Sequence, residues 1–471
     1  MVFSSLTFLC VFLPVVIGLH TLVKNNVARN VILLVASLLF YSWGEPVWIV
    51  AMIFAAAVNY VCARVICSAK TKRGRKAALA VGIVISLSAL FFFKYSAFLV
   101  NNACALFGVA YRMTAPKLPI GISFYPFQII TYTVDVYRKD APVQKNPFWL
   151  LLYVSLFPQL IAGPIVRYSD VSDAITERKV TRKGFGEGFF RFTLGLGKKV
   201  LLANLCGEIL RTLPTGAETS FFSGWLGAIL FMFQIFFDFS GYSEMAIGLG
   251  RMLGFRFPEN FDAPFISKSF SEYWRRWHIS LGTFFREYVY IPLGGSRVGK
   301  ARWIFNMIVV WGLTGIWHGA NWNYLFWGLY SGALIVLERL VLSRFWDRTP
   351  AVLRHVLVLF LTIPGYAIFR NEVLADLGFQ LRAMFAPWAV PLSDPFAVYV
   401  VKNSPLLLAA CVVCSLPLRK WAVRWFRARR EKGRKNVLRP YGKAALALSI
   451  LALSMMFLVG QSFNPFLYFR F

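Results

Sequence analysis

Acidic residues are scarce in this chain: 21 Asp and Glu stand against 51 Lys and Arg, for a formal net charge of +30. The imbalance does not indicate nucleic acid, because no RNA- or DNA-binding motif accompanies it. The bases gather instead in short segments between apolar runs, as in KTKRGRK (Lys70–Lys76) and RKWAVRWFRARREKGRK (Arg419–Lys435). That is the positive-inside pattern of cytoplasmic loops, and it also attracts anionic lipid. Long polar stretches are missing too, so no segment can fold alone as a soluble domain. The seven cysteines lie mostly in apolar runs, and Cys411 and Cys414 have metal-motif spacing but no second pair. They read as small core residues. There is no G-x-S-x-G, no H-E-x-x-H and no Walker A sequence, which excludes a serine hydrolase elbow, an intramembrane zinc protease and an ATP-driven machine. Only four histidines are present. A metal shared by two of them lacks an obvious third ligand, so neither a metal nor a bound cofactor is expected.

What the chain does have is apolar residues. It is 58% hydrophobic and 17% aromatic with a mean hydropathy of +0.59, where a soluble protein is about 45–50% apolar. The aromatic content excludes disorder. Apolar stretches run over 3–23, 30–43, 47–67, 77–107, 119–136, 147–166, 186–212, 219–250, 301–318, 322–344, 351–369, 396–417 and 441–460. A crossing helix needs about 20 apolar residues. Stretch 30–43 is short for that, and 77–107 and 219–250 are long, so these tilt, break or re-enter. The expectation is an all-α polytopic membrane protein with about 10–12 crossings, plus re-entrant and interfacial helices, forming a single membrane domain over 1–471. No internal repeat is visible. Phe3–Val23 lacks the basic flank and short apolar core of a cleaved signal peptide and reads as a retained helix. Placing Lys70–Lys76 and Arg419–Lys435 in the cytoplasm puts both termini outside it, with an even number of crossings.

One segment is too polar for this background. SFSEYWRRWHISLGTFFREYVYIPLGG (Ser269–Gly295) contains Glu272, Arg275, Arg276, His278, Arg286 and Glu287. At roughly 2.5–3.5 kcal/mol per central charge, a simple lipid-exposed crossing would cost more than about 10 kcal/mol. Helical spacing puts Ser271, Arg275, His278, Gly282 and Arg286 on one face, with Trp274, Trp277, Leu281 and Phe284 on another. Glu272 and Arg276 form an i,i+4 pair. The spacing predicts an amphipathic helix lying at the interface or lining a cavity. An anchor with a solvated histidine remains open at this point.

TGIWHGANW (Thr314–Trp322) raises the opposite question, a histidine at the end of an apolar run. If Arg297–Arg302 is cytoplasmic, the run from Trp303 climbs roughly 22 Å at about 1.5 Å per residue. His318 then sits well inside a core about 30 Å thick, where an ionisable residue is a functional candidate; a hydrogen-bonded packing role is the alternative. Gly315 and Gly319 flank it and permit close approach of a backbone or ligand. Asn321 adds an amide nearby. QIFFDFSGYSEMAIGLG (Gln234–Gly250) carries Asp238 in an apolar stretch, and Ser240–Gly241 reads as a helix break with Glu244 in the next first turn. There Asp238 and Ser240 either cap the break or contact substrate. FPQLIAGPI (Phe157–Ile165) reads as a kink or re-entrant turn.

A buried histidine stays neutral and keeps a lone pair for proton abstraction. Such a base can take the proton of a hydroxyl as its oxygen attacks an activated acyl group, and a thioester is a suitable donor. EYWRRWHISLGTFFREYVYIPLGGSR, followed after an apolar span by TGIWHGANWNYLFWG, resembles the membrane-bound O-acyltransferase (MBOAT) family, in its bacterial alginate O-acetylase branch. PIGISFYPFQIITYTVDVYR, QIFFDFSGYSEMAIGLGRMLGFRFPENFDAPF and the C-terminal NPFLYFRF look like further motifs of that branch, so the resemblance covers nearly the whole chain. It departs at Gly282-Thr283-Phe284, where Ser-x-Trp is common, and at Glu244 and Glu287, where Asp is frequent.

The resemblance implies a helical fold around a central tunnel in which His318 is catalytic and His278 assists or binds substrate. Asp238, Ser240, Arg275, Arg276, Trp317 and Asn321 are candidates for lining the tunnel or binding substrate. Trp322 is a candidate of the same kind, and packing is the alternative role for both tryptophans. It also implies acetyl-CoA as a cytoplasmic donor and an extracytoplasmic polysaccharide or periplasmic acetyltransferase as the receiving partner, in the bacterial inner membrane. The expected function is thus O-acetylation of an exported polysaccharide such as alginate. The alternatives are D-alanyl transfer to teichoic acid, O-acetylation of peptidoglycan, and a polysaccharide or lipid transporter without covalent chemistry.

Overall fold

A computed structural model describes residues 1–161, 163–431, 439–460 and 467 of the chain. Among these residues the secondary structure is helical, with no strand. In chain order the helices used below are α1 (Phe8–Leu22), α2 (Asn26–Ser42), α3 (Ile49–Ser68), α4 (Lys72–Leu106), α5 (Tyr125–Arg138), α6 (Pro147–Ser155), α7 (Phe157–Leu160), α8 (Tyr168–Thr176), α9 (Arg182–Gly197), α10 (Asn204–Leu210) and α11 (Phe221–Met252). They continue as α12 (Phe270–Arg276), α13 (Ile279–Phe285), α14 (Lys300–His318), α15 (Trp322–Leu337), α16 (Ala351–Arg370), α17 (Leu374–Phe385), α18 (Pro395–Asn403), α19 (Pro405–Ser415), α20 (Leu418–Glu431) and α21 (Arg439–Gly460).

The protein is a multi-pass membrane protein. Among the described residues, six helices are long and apolar enough to cross: α3, α4, α11, α15 with its continuation to Trp346, α16 and α21. The pair α18–α19 passes as a seventh, bent by 70°. The remaining apolar stretches fold as shorter pieces. Stretch 147–166 becomes α6 and α7, interrupted at Leu156 where Pro158 opens the next turn, so FPQLIAGPI is a broken segment as expected. Stretch 119–136 turns helical only at Tyr125. Its polar residues Gln128, Thr131, Thr133 and Asp135 are buried in protein, where Thr131, Thr133 and Asp135 find hydrogen-bond partners that lipid does not offer.

Contacts divide the chain into two compact units. One comprises Met1–Phe192 and Tyr242–Glu259, the other Thr193–Gly241 and Asn260–Leu467. In the first, Asn59 of α3 joins three helices: its Nδ2 donates to Ser86 Oγ of α4 (2.9 Å), and Thr133 Oγ1 of α5 donates to its Oδ1 (2.7 Å). Polar side chains bonded across helices fix register where no hydrophobic contrast with lipid exists. In the second unit α14 and α15 pack backbone to backbone. A Cβ on Gly328 would collide with the Trp311 carbonyl oxygen, and one on Gly315 with the Tyr324 carbonyl oxygen.

Two sequence expectations are corrected here. First, Ser240–Gly241 is no break: α11 runs unbroken through it. The glycine serves proximity, since a Cβ there would lie 2.7 Å from the Gly195 carbonyl oxygen and 3.1 Å from the Lys199 amide nitrogen. Second, Ser269–Gly295 is not one amphipathic helix. It is α12, a break at Trp277–His278, α13, and a π-helical turn at Arg286–Tyr290.

Candidate active site

The break in Ser269–Gly295 positions the first histidine. Ser269 caps α12 by accepting from the Glu272 amide at 3.0 Å, and Arg276 in the last turn pairs with Glu272 at 2.7 Å. The helix stops because Trp277 is extended (ψ 128°) and His278 is left-handed (φ 45°, ψ 52°). This conformation costs about 1–3 kcal/mol in a non-glycine residue and persists only where the surroundings impose it. Asn260 imposes it here. Its carbonyl oxygen accepts from the Ile279 amide at 3.0 Å, and its side-chain Oδ1 accepts from the Ser280 amide (3.2 Å) and Ser280 Oγ (2.9 Å). The turn carries His278 off the stripe it shares with Arg275 in the sequence: His278 is 3% exposed, whereas Arg275 is exposed.

The same contacts assign the His278 tautomer. Nδ1 lies 3.2 Å from Asn260 Oδ1. Two Ser280 donors already identify that atom as the amide oxygen, so Nδ1–H donates to it and the lone pair of the neutral ring is on Nε2. Burial pushes His278 down to about 3, so the ring is neutral at physiological pH.

His318 is the last residue of α14 and is 3% exposed. Its ring packs edge-on against Trp317 (4.8 Å between centroids), Trp327 of α15 (4.8 Å) and Phe369 of α16 (5.2 Å). Gly319 lets α15 close over it, because a Cβ there would collide with the Tyr324 ring. Trp317 also meets His278, at 5.8 Å between ring centroids. Phe239 (4.6 Å) and Phe261 (6.5 Å) complete the aromatic wall on the His278 side. Two imidazoles that are 40 residues apart in sequence therefore share one tryptophan in a buried aromatic chamber.

The other sequence candidates are placed as follows. Asp238 is 1% exposed and sits 2.7 Å from the Lys199 ammonium, and it also accepts the Leu467 amide at 2.9 Å. It therefore neutralises a buried cation and holds the chain near its C-terminus. The rest of NPFLYFRF lies outside the described residues. Ser240, two residues further along α11, is buried, and its hydroxyl has no hydrogen-bond partner among the described residues. Arg276 is taken up by Glu272 and by Asp262 at 3.6 Å. Asn321 caps α15, accepting from the Trp322 amide at 2.7 Å and donating to the Glu372 carbonyl at 3.0 Å. Trp322 is 40% exposed and stacks on Phe326, outside the histidine wall. Of the candidates, the structure brings together His278, His318 and Trp317. Missing from them were Asn260, Phe239, Trp327 and Phe369. The FRFPENFDAPF motif contains Asn260, but no spacing rule links it to a histidine 18 positions later.

A buried chamber with two imidazoles and, among the described residues, no acidic side chain on its aromatic wall suits proton transfer. Residues 136–352 match the family described as MBOAT, membrane-bound O-acyltransferase. The chain is 37% identical to the "Probable alginate O-acetylase AlgI" of Azotobacter vinelandii, with all of both chains covered. It is 28% identical to the "Peptidoglycan O-acetyltransferase" of Helicobacter pylori, covering 100% of this chain and 98% of that one. It is 29% identical to the "Teichoic acid D-alanyltransferase" of Bacillus subtilis, covering 54% of this chain and 69% of the relative. The chain belongs to the MBOAT family, and it is an acyltransferase.

Proposed function

We propose that this acyltransferase takes an acetyl group from a cytoplasmic thioester, acetyl-CoA, and passes it across the membrane for O-acetylation of an exported polysaccharide such as alginate. The observation that carries this reading is the shared chamber, in which His278 and His318 both pack on Trp317. The alginate assignment draws on the relative matched over its whole length. The peptidoglycan relative is also matched over nearly its whole length, so an O-acetyl acceptor in peptidoglycan is the second reading. D-alanyl transfer to teichoic acid rests on a partial match.

In the proposed mechanism His318 is the general base. It takes the proton of the accepting hydroxyl as the oxygen adds to the thioester carbonyl. The tetrahedral intermediate then collapses: the C–O bond stays, the C–S bond breaks, and the His318 imidazolium returns the proton to the departing thiolate. His278, with Nδ1–H fixed on Asn260, presents the Nε2 lone pair and orients the acceptor by accepting a hydrogen bond from a neighbouring hydroxyl of the acceptor, which leaves the single proton of the reacting hydroxyl to His318. The depth of the chamber lets a cytoplasmic thioester and an acceptor from the opposite side meet away from water, which would otherwise hydrolyse the donor. The accepting hydroxyl belongs to the polysaccharide or to a periplasmic acetyltransferase that relays the group. The setting is the bacterial inner membrane, with both termini outside the cytoplasm.

The test is transfer from radiolabelled acetyl-CoA in membranes carrying wild type, His318→Ala or His278→Ala. Label is expected on polysaccharide or partner in wild type, with a loss of about 100-fold or more in His318→Ala at normal insertion. Near-normal turnover by His318→Ala would remove it as the base. Transfer only from a carrier-protein thioester would replace the donor.

A further inference from the structure

Outside the histidine chamber, a cavity of about 650 Å³ opens beside the bend between α18 and α19 and is lined in part by Leu205 and Glu208 of α10 with Lys402, Ser404, Leu406 and Leu407. That volume falls within the about 300–1,000 Å³ of ligand sites. The 70° bend makes the space. Pro405 has no N–H to continue α18, so α19 starts afresh in a new direction. The lining combines two opposite charges with apolar side chains. Glu208 is half-buried and Lys402 exposed, and neither side chain has an ion-pair partner among the described residues. In a chain with 51 basic and 21 acidic residues, an acid left unpaired beside an unpaired lysine is notable. Two opposite charges in one cavity that do not close on each other leave room for a ligand carrying the complement of each. Leu406 is 85% exposed at the rim, where a membrane protein meets acyl chains.

We propose that this cavity binds a zwitterionic phospholipid with a primary ammonium, of the phosphatidylethanolamine class. Its phosphate lies at Lys402 and the Ser404 hydroxyl, its ammonium donates to the Glu208 carboxylate, and its acyl chains leave along Leu406, Leu407 and Leu205. Charge complementarity selects the class. A choline headgroup has no N–H to donate to the carboxylate, and a glycerol headgroup brings an anion with no cation for Glu208. The site is independent of the acyl-transfer chemistry proposed above.

The experiment is native mass spectrometry of the full-length protein, delipidated in detergent and offered phosphatidylethanolamine, phosphatidylcholine and phosphatidylglycerol of matched chains in equal amounts. Phosphatidylethanolamine should be retained in preference to both others. Glu208→Gln should lower that preference by about tenfold, the effect of one charge-assisted hydrogen bond, and Lys402→Met should lower retention of all three. Leu407→Trp, which fills the cavity without touching either charge, should lower phosphatidylethanolamine retention as well, and it decides the question if a charge variant fails to fold. Equal retention of the three lipids, or a preference unchanged by these variants, overturns the proposal. So does displacement of the lipid by a soluble zwitterion such as glycerophosphoethanolamine at matched concentration, because the apolar half of the cavity would then have no role.

Discussion

Asn260 holds His278 by three routes at once: the backbone turn, the ring Nδ1 and the first residues of α13. Its amide oxygen is neutral, so it orients the ring without favouring the imidazolium, and His278 stays down at about 3. Replacing Asn260 by Asp keeps an acceptor for Nδ1–H and for both Ser280 donors but adds a negative charge. A carboxylate stabilises the protonated ring and raises its pKa, and the neutral ring is then lost as pH falls through the raised value. Asn260→Asp is therefore expected to transfer acetyl within about threefold of wild type at pH 8 and to lose about tenfold more than wild type does by pH 5.5. A pH–rate profile in membrane vesicles checks this, and identical profiles for the two proteins would dissociate His278 from Asn260. Asp238 answers to a different test. Asp238→Asn keeps an acceptor for the Leu467 amide yet leaves Lys199 buried without its counter-charge, at a cost of about 3–5 kcal/mol. It should lower the folded yield in detergent, and adding Lys199→Met should restore it. If the single variant loses transfer at full folded yield, Asp238 acts in the chemistry and not in the fold. The two histidines were legible in the sequence because ionisable residues stand out against an apolar background, and Trp317 because it adjoins one of them. Asn260 and Lys199 were not, because each acts through a contact distant in sequence.

At the scale of helices, spacing rules succeeded where the backbone stayed regular and failed where a single residue left the helical region. The stripe Ser271–Arg275–His278–Gly282–Arg286 assumes one continuous helix. The left-handed His278 ends that helix and starts another, and no periodicity of side chains reports a positive φ. The opposite error occurs at Gly241. A serine–glycine pair in an apolar run looks like a break, but α11 continues because the glycine is needed for the approach of Gly195 and Lys199. Gly315 of α14 and Gly328 of α15 have the same use, and their seam fixes where His318 meets Trp327. Gly328→Ala puts a methyl group against the Trp311 carbonyl oxygen and 2.9 Å from Gly315 Cα. Both contacts are backbone, so no side chain can turn aside. The expected cost is about 1–3 kcal/mol, seen as a lower melting temperature in detergent. Acyl transfer should fall with it, because parting α14 from α15 moves His318 away from its wall. Gly312→Ala on the facing helix α14 is the control, since nothing lies within 4 Å of its Cβ position, and it should leave both unchanged.

Across the whole molecule, composition gave the membrane class directly, whereas the number of crossings was less legible. Among the described residues six helices, or seven with the bent pair, satisfy length and composition, because stretches such as 119–136 and 147–166 spend their residues on buried polar turns and short helices. A hydropathy window counts residues and does not register where a helix is interrupted for a site. Charge remains the guide to orientation. Lys70–Lys76 spans the turn after α3 and the first residues of α4, and Gly44–Pro46 lies between α2 and α3, so the two lie on opposite sides if α3 crosses once. With the basic turn in the cytoplasm, alkaline phosphatase fused at Glu45 should be active and the same reporter fused at Arg73 inactive, with a fluorescent protein giving the reverse pattern. Replacing the bases of Lys70–Lys76 by glutamine should weaken or invert that assignment, because bases near the ends of crossing helices set topology. The result bears on the chemistry as well as the topology. If Glu45 reports cytoplasmic and Arg73 external, the charge argument that also puts Arg297–Arg302 at the cytoplasmic start of α14 loses its basis. His318 would then be reached by the donor from the other end of its helix, and the proposed direction of acetyl transfer would have to be reversed.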